Sequence, residues 1–235
     1  MKRLSIIIPC YNESENLPLL ISRCKEVFDK DSNIEIIIVD NGSNDDTSSV
    51  LDDLISDLSF ITKVVIEVNK GYGHGILAGL ASASGQILSW THADMQTDLG
   101  DVLKGLDFFI NAANEEKLFV KGRRQGRPIT DVFFTVGMSI FEILLLRKFM
   151  WDINAQPTMF HRNFFLKWGN PPQDFSLDLY AYYTAKKSGL LVRRFPVVFA
   201  SRAYGISKWN VGFISKYHFI KRTLIYSFGL QKRMK

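Results

Sequence analysis

The stretch LSIIIPCYNE at residues 4–13 decides the fold, because an apolar, β-branched run there ends abruptly in polar residues. A short continuous run of this kind is typical of a strand that is buried on both faces of a parallel sheet. The stretch IEIIIVDNGSND at residues 34–45 repeats the pattern. Between the two, residues 16–28 carry apolar side chains at helical spacing. This strand–helix–strand order predicts a parallel α/β sheet.

The same alternation continues outward along the chain. Strands are predicted at 63–68 and 86–91, with helices at 48–58 and 71–84. The remaining predicted elements are a helix at 100–114, a strand at 118–121, a helix at 129–150, an irregular segment at 152–162, a helix at 176–188, a strand at 190–199 and a helical tail at 209–235. These elements predict a mostly parallel central sheet with helices on both faces.

Length and composition fit one folded domain, since the chain has 235 residues and 46% hydrophobic residues. The net charge of +5 is unevenly distributed: residues 179–235 contain 12 Lys and Arg and no acid. Such a segment predicts an anionic partner, either phosphate groups or a membrane surface, unless it is a solvated basic face. Nucleic acid is disfavoured because no known reader motif is present.

Cys10 and Cys24 are predicted to be buried thiols in a reducing compartment, and neither a signal peptide nor a membrane-spanning segment is expected.

Three polar clusters follow three predicted strands, at residues 11–13, 40–43 and 92–96. The carboxyl ends of parallel strands share one edge of the sheet, so we expect these clusters to form one site there. Asp94 and Gln96, two residues apart in extended chain, offer hard oxygen ligands for Mn²⁺ or Mg²⁺ with phosphates completing the shell. The alternatives are a helix-capping turn at residues 94–98 and an Asx turn at Asp40.

Two basic loops are candidate phosphate sites. Arg123, Arg124 and Arg127 lie in the first loop, and Arg202 and Lys208 lie in the second. Guanidinium and ammonium groups suit phosphate, although any single one of these side chains can equally be a solvated surface residue.

The segments 7–17, 38–45 and 93–96 together resemble family 2 glycosyltransferases of the GT-A fold, a Rossmann-like architecture. Within that family the chain resembles the polyprenyl-phosphate glycosyltransferases, through residues 121–124, 152–154 and 202–209. The resemblance implies an inverting transfer of sugar from a UDP- or GDP-linked donor to polyprenyl phosphate or another lipid-linked acceptor. It also implies a Mn²⁺ or Mg²⁺ cofactor.

The resemblance and the rim clusters together predict the site residues. Asp94 and Gln96 are expected to bind the metal, and Asp94, Arg202 and Lys208 are expected to act in catalysis. Phosphates of donor or acceptor are assigned to Arg123, Arg127, Arg202, Ser207 and Lys208. The nucleotide-sugar residues are predicted to be Pro9, Tyr11, Asn12, Glu13, Asp40, Gly42, Lys70, Gly71, His92, Ala93 and Asp94.

The chain departs from the family pattern at two places. His92 stands where the subgroup usually has the first acid of an Asp-Ala-Asp motif, which favours Mn²⁺ over Mg²⁺ because imidazole binds transition metals. The segment 152–160 lacks the Gly-Phe pair that often follows the Asp, so an unusual acceptor side is expected.

Two alternative functions stay open at this point. In one, the acceptor is a sugar hydroxyl of a glycan or a lipid-linked sugar, which requires a general base, with Asp174 or Asp178 as the candidates. In the other, the chain is a non-catalytic subunit that binds nucleotide sugars.

The chain is predicted to consist of a GT-A domain at 1–210 and a basic amphipathic C-terminal helix at 211–235. The helix composition favours peripheral association with the cytoplasmic face of a membrane, although packing on the sheet is the alternative. A homo-oligomer or a membrane-protein partner is left open.

Overall fold

The protein is built around one large β-sheet. The computed structural model describes residues 2–202 and 213–233, and the described residues form a seven-stranded sheet. The elements are, in chain order, β1 (Leu4–Cys10), α1 (Leu17–Phe28), β2 (Ile34–Asn41), α2 (Thr47–Ile55), β3 (Ile61–Ile66), α3 (Tyr72–Ser82), β4 (Ile87–Trp90), α4 (Gly100–Ile110), a 3₁₀ turn (Glu115–Lys117), β5 (Leu118–Gln125), α5 (Ile129–Leu146), β6 (Thr158–His161), α6 (Arg162–Phe165), α7 (Leu177–Lys187), β7 (Leu191–Val198) and α8 (Phe213–Arg233).

The strand order is β3-β2-β1-β4-β6-β5-β7. The pairs β1–β2, β2–β3, β1–β4 and β5–β7 are parallel, whereas β6 runs antiparallel to both β4 and β5. The predicted mostly parallel α/β sheet is therefore confirmed. β6 reverses the direction in the middle of the sheet, and the loop before it reaches the same edge as the ends of β4 and β5.

Helices cover both faces of the sheet, as predicted. Successive strand residues point to opposite faces, so Ile6 belongs to one core cluster and Ile7 to the other. The first cluster contains residues of α1 and α4, including Leu20. The second contains residues of α3 and α7, including Ile76 and Tyr182. Both faces of β1 are buried, which explains why apolar residues occupy adjacent positions along it.

The sequence-based prediction was wrong at β6 and at the end of α5. Residues 158–161 were predicted to be irregular, because four residues after Pro157 carry too little periodicity to mark a strand. The predicted helix 129–150 ends at Leu146, because Arg147 adopts a left-handed conformation with a φ of 53°.

α8 packs against α5 within the described residues. The Ser227 hydroxyl contacts Glu142, and the Gln231 side chain donates to the Leu145 carbonyl. Leu230 is buried in the second core cluster. The predicted division of the chain at residue 210 stays a prediction.

One face of the α5–α8 pair is apolar and exposed. The exposed apolar residues are Ile129, Val132, Phe133, Ile140 and Leu144 on α5 and Ile225 and Phe228 on α8. Lys221 and Lys232 flank this face on α8 and are also exposed. Across residues 2–202 and 213–233, no helix combines the length and the hydropathy needed to span a membrane.

Candidate active site

A cavity opens at the carboxyl ends of β1 and β4, where the predicted polar clusters converge. We call it the rim cavity; it encloses about 1820 Å³ up to its open mouth. The predicted residues in its lining are Pro9, Tyr11, Asn12, Glu13, Gly71, His92, Ala93, Asp94, Gln96 and Arg202, and Asn41, Asn69, Tyr72 and Phe175 complete much of the wall. Asp40, Gly42 and Lys70 do not line it.

Asp40 and Gly42 shape the turn after β2. Asp40 is buried, and its Oδ1 accepts a hydrogen bond of 3.0 Å from the Ser43 backbone N–H. Gly42 has a φ of +73°, and a Cβ there would lie 2.6 Å from the Asn69 backbone nitrogen. This geometry agrees with the Asx-turn alternative for Asp40, and its nucleoside role stays a prediction.

Hydrogen bonds to the same turn hold the segment after β1. Asn12 has a φ of 55°, and its Oδ1 accepts from the Asn44 N–H at 2.9 Å. The Asn12 N–H donates to Ser43 Oγ at 3.0 Å, and the Glu13 N–H donates to Thr47 Oγ1 at 2.9 Å. These bonds fix two of the three predicted rim clusters relative to each other.

Asp94 forms an ion pair with Arg202 at the end of β4. The Asp94 Oδ2 lies 2.8 Å from Arg202 Nη2, and Arg202 Nη1 also lies 4.0 Å from Glu13 Oε1. Asp94 is only 4% exposed, whereas the Arg202 side chain is 25% exposed, so a partly buried guanidinium–carboxylate pair faces the cavity. Two of the predicted catalytic residues are thus in direct contact.

A divalent cation fits this arrangement only with help from a ligand. Among the residues that the structure describes, no group of three or more His, Cys, Asp or Glu side chains could hold a metal. The Gln96 amide nitrogen donates to the Ala200 carbonyl at 3.2 Å, which anchors that side chain. Asp94 offers one carboxylate, and Mg²⁺-type sites commonly combine one or two carboxylates with substrate phosphates. The residues therefore fit a cation that a bound diphosphate helps to hold.

Three rings form a wall between the rim cavity and a second cavity. Tyr72 stacks on Phe175 with ring centroids 4.8 Å apart, and His92 lies 5.7 Å from Tyr72. All three side chains line both cavities. Burial lowers the pKa of His92, although the nearby Asp94 and Asp178 carboxylates offset part of this effect.

The second cavity lies between α5, α8 and the start of α7, and we call it the α5–α8 cavity. It encloses about 950 Å³ including its opening. Most of its surface is apolar, from side chains that include Phe134, Met138, Ile153, Leu179 and Phe199, and its polar lining includes Arg124, Arg127, Glu142, Asn154 and Asp178. An apolar chamber with a few polar groups is the usual form of a site for a small or amphipathic ligand.

Three arginines surround one carboxylate beside this cavity. Asp152 is 3% exposed and accepts hydrogen bonds from the Arg124 backbone N–H and guanidinium, with Nε at 2.8 Å. Arg194 and Arg127 lie 3.7 and 3.9 Å from the same carboxylate. Although burial alone would raise it, Arg124 holds the pKa of Asp152 below its usual range. The cluster carries a surplus of two positive charges.

Of the two predicted phosphate residues in the first basic loop, Arg127 lines the α5–α8 cavity and Arg123 does not. Arg123 is exposed and does not line the cavity, whereas its neighbour Arg124 does. The Arg127 side chain is 6% exposed, and its Nε has no hydrogen-bond partner in the described part of the chain. An unpaired buried guanidinium N–H is a free donor for a ligand.

Asp178 belongs to a buried hydrogen-bond network. Its Oδ1 lies 3.2 Å from Lys121 Nζ and accepts from Gln156 Nε2 at 2.9 Å. Lys121 also donates to Thr158 Oγ1 at 2.5 Å. Burial lowers the pKa of Lys121 from 10.5 to about 8. Asp174, the other candidate base, accepts from the Ser176 N–H and lies 3.4 Å from Arg222.

Several functional candidates were absent from the sequence-based prediction or lie outside the described residues. Ser207 and Lys208 fall between residues 203 and 212, outside the described residues. Sequence reasoning missed Tyr72 and Phe175 as cavity residues, because aromatic side chains near a helix start give no signal distinct from core packing. Sequence reasoning also missed Glu142, which lies within an apolar helix and lines the second cavity.

Comparison with known proteins identifies a family and a fold. The profile of the family described as glycosyl transferase family 2 matches residues 5–170. Undecaprenyl-phosphate 4-deoxy-4-formamido-L-arabinose transferases are similar to part of the chain. The protein from Enterobacter sp. (strain 638) is 38% identical over 98 residues, which are 40% of this chain and 29% of the relative. That from Pectobacterium atrosepticum is 38% identical over 101 residues, 41% of this chain and 30% of the relative. The match therefore spans less than a third of the length of these relatives.

Two solved structures share the fold. Glucosyl-3-phosphoglycerate synthase from Mycobacterium tuberculosis, in complex with Mn²⁺, UDP and glucosyl-3-phosphoglycerate, superposes with a TM-score of 0.71 at 16% identity, covering 97% of this chain and 80% of that one. The mannosyltransferase PcManGT from Pyrobaculum calidifontis, in complex with GDP-Man and Mn²⁺, has a TM-score of 0.71 at 19% identity, covering 98% of this chain and 64% of the other. At these identities the likeness concerns the fold.

Proposed function

The chain belongs to glycosyltransferase family 2, and from that premise we propose that it transfers a sugar, with inversion, from a nucleoside-diphosphate sugar to a polyprenyl phosphate at a membrane surface. The observation that supports a polyprenyl-phosphate acceptor is the arginine cluster around Asp152, which lies beside an apolar cavity. A surplus of buried positive charge suits a phosphate, and apolar walls suit an isoprenoid chain. The names of the similar transferases state undecaprenyl phosphate, which supports this acceptor class.

The donor is assigned to the rim cavity. Tyr11 and Pro9 provide the surface for the nucleoside, and Arg202 beside Asp94 provides charge for the diphosphate. Asp94 would hold Mn²⁺ or Mg²⁺, which would stabilise negative charge on the leaving diphosphate. Both neighbouring structures of this fold contain Mn²⁺ with a nucleotide. A bound diphosphate would compete with Asp94 for Arg202, so we expect this ion pair to loosen when donor binds.

The ring wall is where donor and acceptor would meet, because Tyr72, His92 and Phe175 line both cavities. An acceptor phosphate oxygen would attack the anomeric carbon there, while the bond to the donor diphosphate breaks and the diphosphate leaves with the electron pair. The transition state would resemble an oxocarbenium ion. A phosphate acceptor is already anionic at neutral pH and needs no general base.

Neither of the two acids predicted as general base for the hydroxyl-acceptor alternative is free of a cationic partner. Asp178 is paired with Lys121 and Gln156, and Asp174 is paired with Arg222. No observation favours that alternative or the non-catalytic one. We therefore retain the phosphate acceptor.

Peripheral membrane association is part of the proposal. The exposed apolar residues of α5 and α8, flanked by Lys221 and Lys232, have the composition of an interfacial surface on anionic lipid. The same two helices form the α5–α8 cavity, so a lipid acceptor could enter it from the bilayer. We assign this surface to the cytoplasmic face, where nucleotide sugars are available, and an oligomeric or membrane-protein partner stays a prediction.

A transfer assay with a charge-matched control tests the proposal. Labelled UDP- and GDP-sugars are screened with Mn²⁺ against undecaprenyl phosphate in anionic vesicles. We expect Arg127→Gln to raise the acceptor KM by at least about tenfold, since a charged hydrogen bond of about 1.5–3 kcal/mol is lost. Arg123→Gln removes the same charge from an exposed position and should change KM less than about twofold. Equal effects of the two variants, or no transfer with any donor, would contradict the proposal.

A further inference from the structure

Glu142 is a buried carboxyl group in the wall of the α5–α8 cavity that the proposed transfer does not use. It is 1% exposed, although Glu is rarely buried without a cationic partner. Its Oε1 lies 2.5 Å from Ser227 Oγ on α8, whereas Oε2 has no hydrogen-bond partner in the described part of the chain. No ion pair to Glu142 exists among the side chains that the structure describes.

The hydrogen bonds of Ser227 indicate which form of Glu142 the structure favours. Ser227 Oγ has two acceptor neighbours, Glu142 Oε1 at 2.5 Å and the Thr223 carbonyl at 2.8 Å. A hydroxyl group carries one proton. Both contacts are hydrogen bonds at once only if Glu142 is protonated and donates to Ser227, which then donates to Thr223. Oε2 is then a carbonyl oxygen facing the cavity.

Burial acts in the same direction. Desolvation raises the pKa of Glu142 from 4.5 to about 7, and the Ser227 hydrogen bond offsets only part of this effect. The carboxyl group therefore changes charge near neutral pH.

The change in the charge of Glu142 alters the net charge of the cavity, because few other charged groups there are unpaired. Arg124 at the end of β5 and Arg127 in the loop after it face the cavity, and Asp178 on α7 is neutralised by Lys121. The other titratable groups near the lining include Tyr72 of α3, His92 after β4, Asp152 and Arg194 in the arginine cluster, and Arg222 of α8 paired with Asp174. Ionised Glu142 would be the one carboxylate of the described lining without a cationic partner, and it would halve the surplus positive charge.

We propose that Glu142 sets the charge that the α5–α8 cavity accepts: as a carboxylic acid it admits a phosphate-bearing acceptor, and as a carboxylate it repels it. This inference rests on the proposed function. It makes Glu142 a specificity-determining residue, because acceptor binding above neutral pH requires uptake of one proton. Glu142→Gln reproduces the acid, since its amide N–H donates to Ser227 and its carbonyl faces the cavity.

Calorimetric titration with geranyl phosphate, without donor, tests the inference directly. For the wild type we expect Kd to rise about fivefold between about pH 7 and about pH 8, with uptake of about one proton at the higher pH. Proton uptake is measured by repeating the titration in buffers of different ionisation enthalpy, and it needs no variant. In Glu142→Gln, Kd should stay at the low-pH wild-type value without that uptake. Glu67→Gln, at an exposed carboxylate, should keep the wild-type pH dependence.

The outcomes separate this inference from the function on which it rests. The second ionisation of the phosphate ester, near pH 6, contributes equally to wild type and variant and cancels in the comparison. Binding with the same pH dependence in wild type and Glu142→Gln, or without proton uptake, overturns the role of Glu142 and leaves the acceptor standing. Failure of geranyl phosphate to bind at any pH overturns both.

Discussion

Replacing Lys121 by Met should destabilise the protein by about 3–5 kcal/mol at neutral pH, because it leaves a buried carboxylate without its cation. Lys121 is 0% exposed and Asp178 is 2% exposed, with 3.2 Å between Nζ and Oδ1. After the replacement, the Gln156 amide still donates to the Asp178 carboxylate. Met has a similar length, so the loss of packing is small.

The double variant Lys121→Met/Asp178→Asn should recover most of this loss. Burial lowers the pKa of Lys121 from 10.5 to about 8, which corresponds to a cost of about 3 kcal/mol for keeping the ammonium charged. That cost remains after the attraction of Asp178 is included, so the charged pair gives no net stabilisation and removing both charges costs little. Asp178→Asn alone should cost less than Lys121→Met, about 1–3 kcal/mol, because Lys121 can release its proton.

The pH dependence of stability provides a second signature of the same pair. The folded-state pKa of Lys121 lies below its unfolded value, so between about pH 8 and pH 10.5 the unfolded chain holds a proton that the folded chain has released. Stability contributed by this group therefore rises with pH across that window, by up to about 3 kcal/mol. Lys121→Met should lack this rise.

Urea unfolding, followed by circular dichroism at neutral pH and at alkaline pH, measures both effects. The m-value should be unchanged if the folded state keeps its compactness. A loss below about 1 kcal/mol in Lys121→Met would refute the reasoning. So would a double variant whose loss equals the sum of the two single losses, because the cycle would then contain no coupling.

Two further predictions concern the rim cavity. Gly73→Ala should weaken UDP or GDP binding and lower stability by more than about 1 kcal/mol, since its Cβ would lie 2.7–2.8 Å from backbone atoms of residues 172–174. The control is Gly137→Ala, whose Cβ would meet nothing within 4 Å. This control should instead stabilise the protein by about 0.5–1 kcal/mol in chemical unfolding. Asp94→Ala should abolish the Mn²⁺-dependent part of the thermal stabilisation by UDP or GDP. Asp98 forms an exposed ion pair with Arg23, and the control Asp98→Ala should retain that stabilisation. Equal stabilisation of both variants would rule out a cation at Asp94.

The sequence predicted the rim-cavity side of the molecule better than the side of the α5–α8 cavity, for physical reasons. β1, β2 and β4 are buried on both faces, so they are mostly apolar and their ends are marked by polar clusters. β6 is a four-residue strand whose pairing depends on two neighbours distant in sequence, β4 and β5. Its direction and its existence follow from tertiary context rather than from local pattern.

Individual side chains were harder to predict than elements. Arg123 and Arg124 are adjacent on β5, where successive residues point to opposite faces, and the sequence does not say which one faces the cavity. The contact between Glu142 and Ser227 joins residues 85 positions apart, and no local signal marks it. The polar residues at the strand ends lie close together, because parallel topology alone places the carboxyl ends of the strands at one edge of the sheet.

The two-sided character of α5 restricts how this helix can change during evolution. Glu142 and Ser139 face inward and are buried, while Phe133 and Leu144 face outward and are exposed. A polar substitution on the outer face would remove exposed apolar surface. A charged substitution on the inner face would change the net charge of the α5–α8 cavity. Among homologues of full length, we expect α5 to vary more slowly than α2, whose outer face is ordinary polar surface. Hydropathy would stay high on both sides of the helix while the identity of each apolar residue drifts.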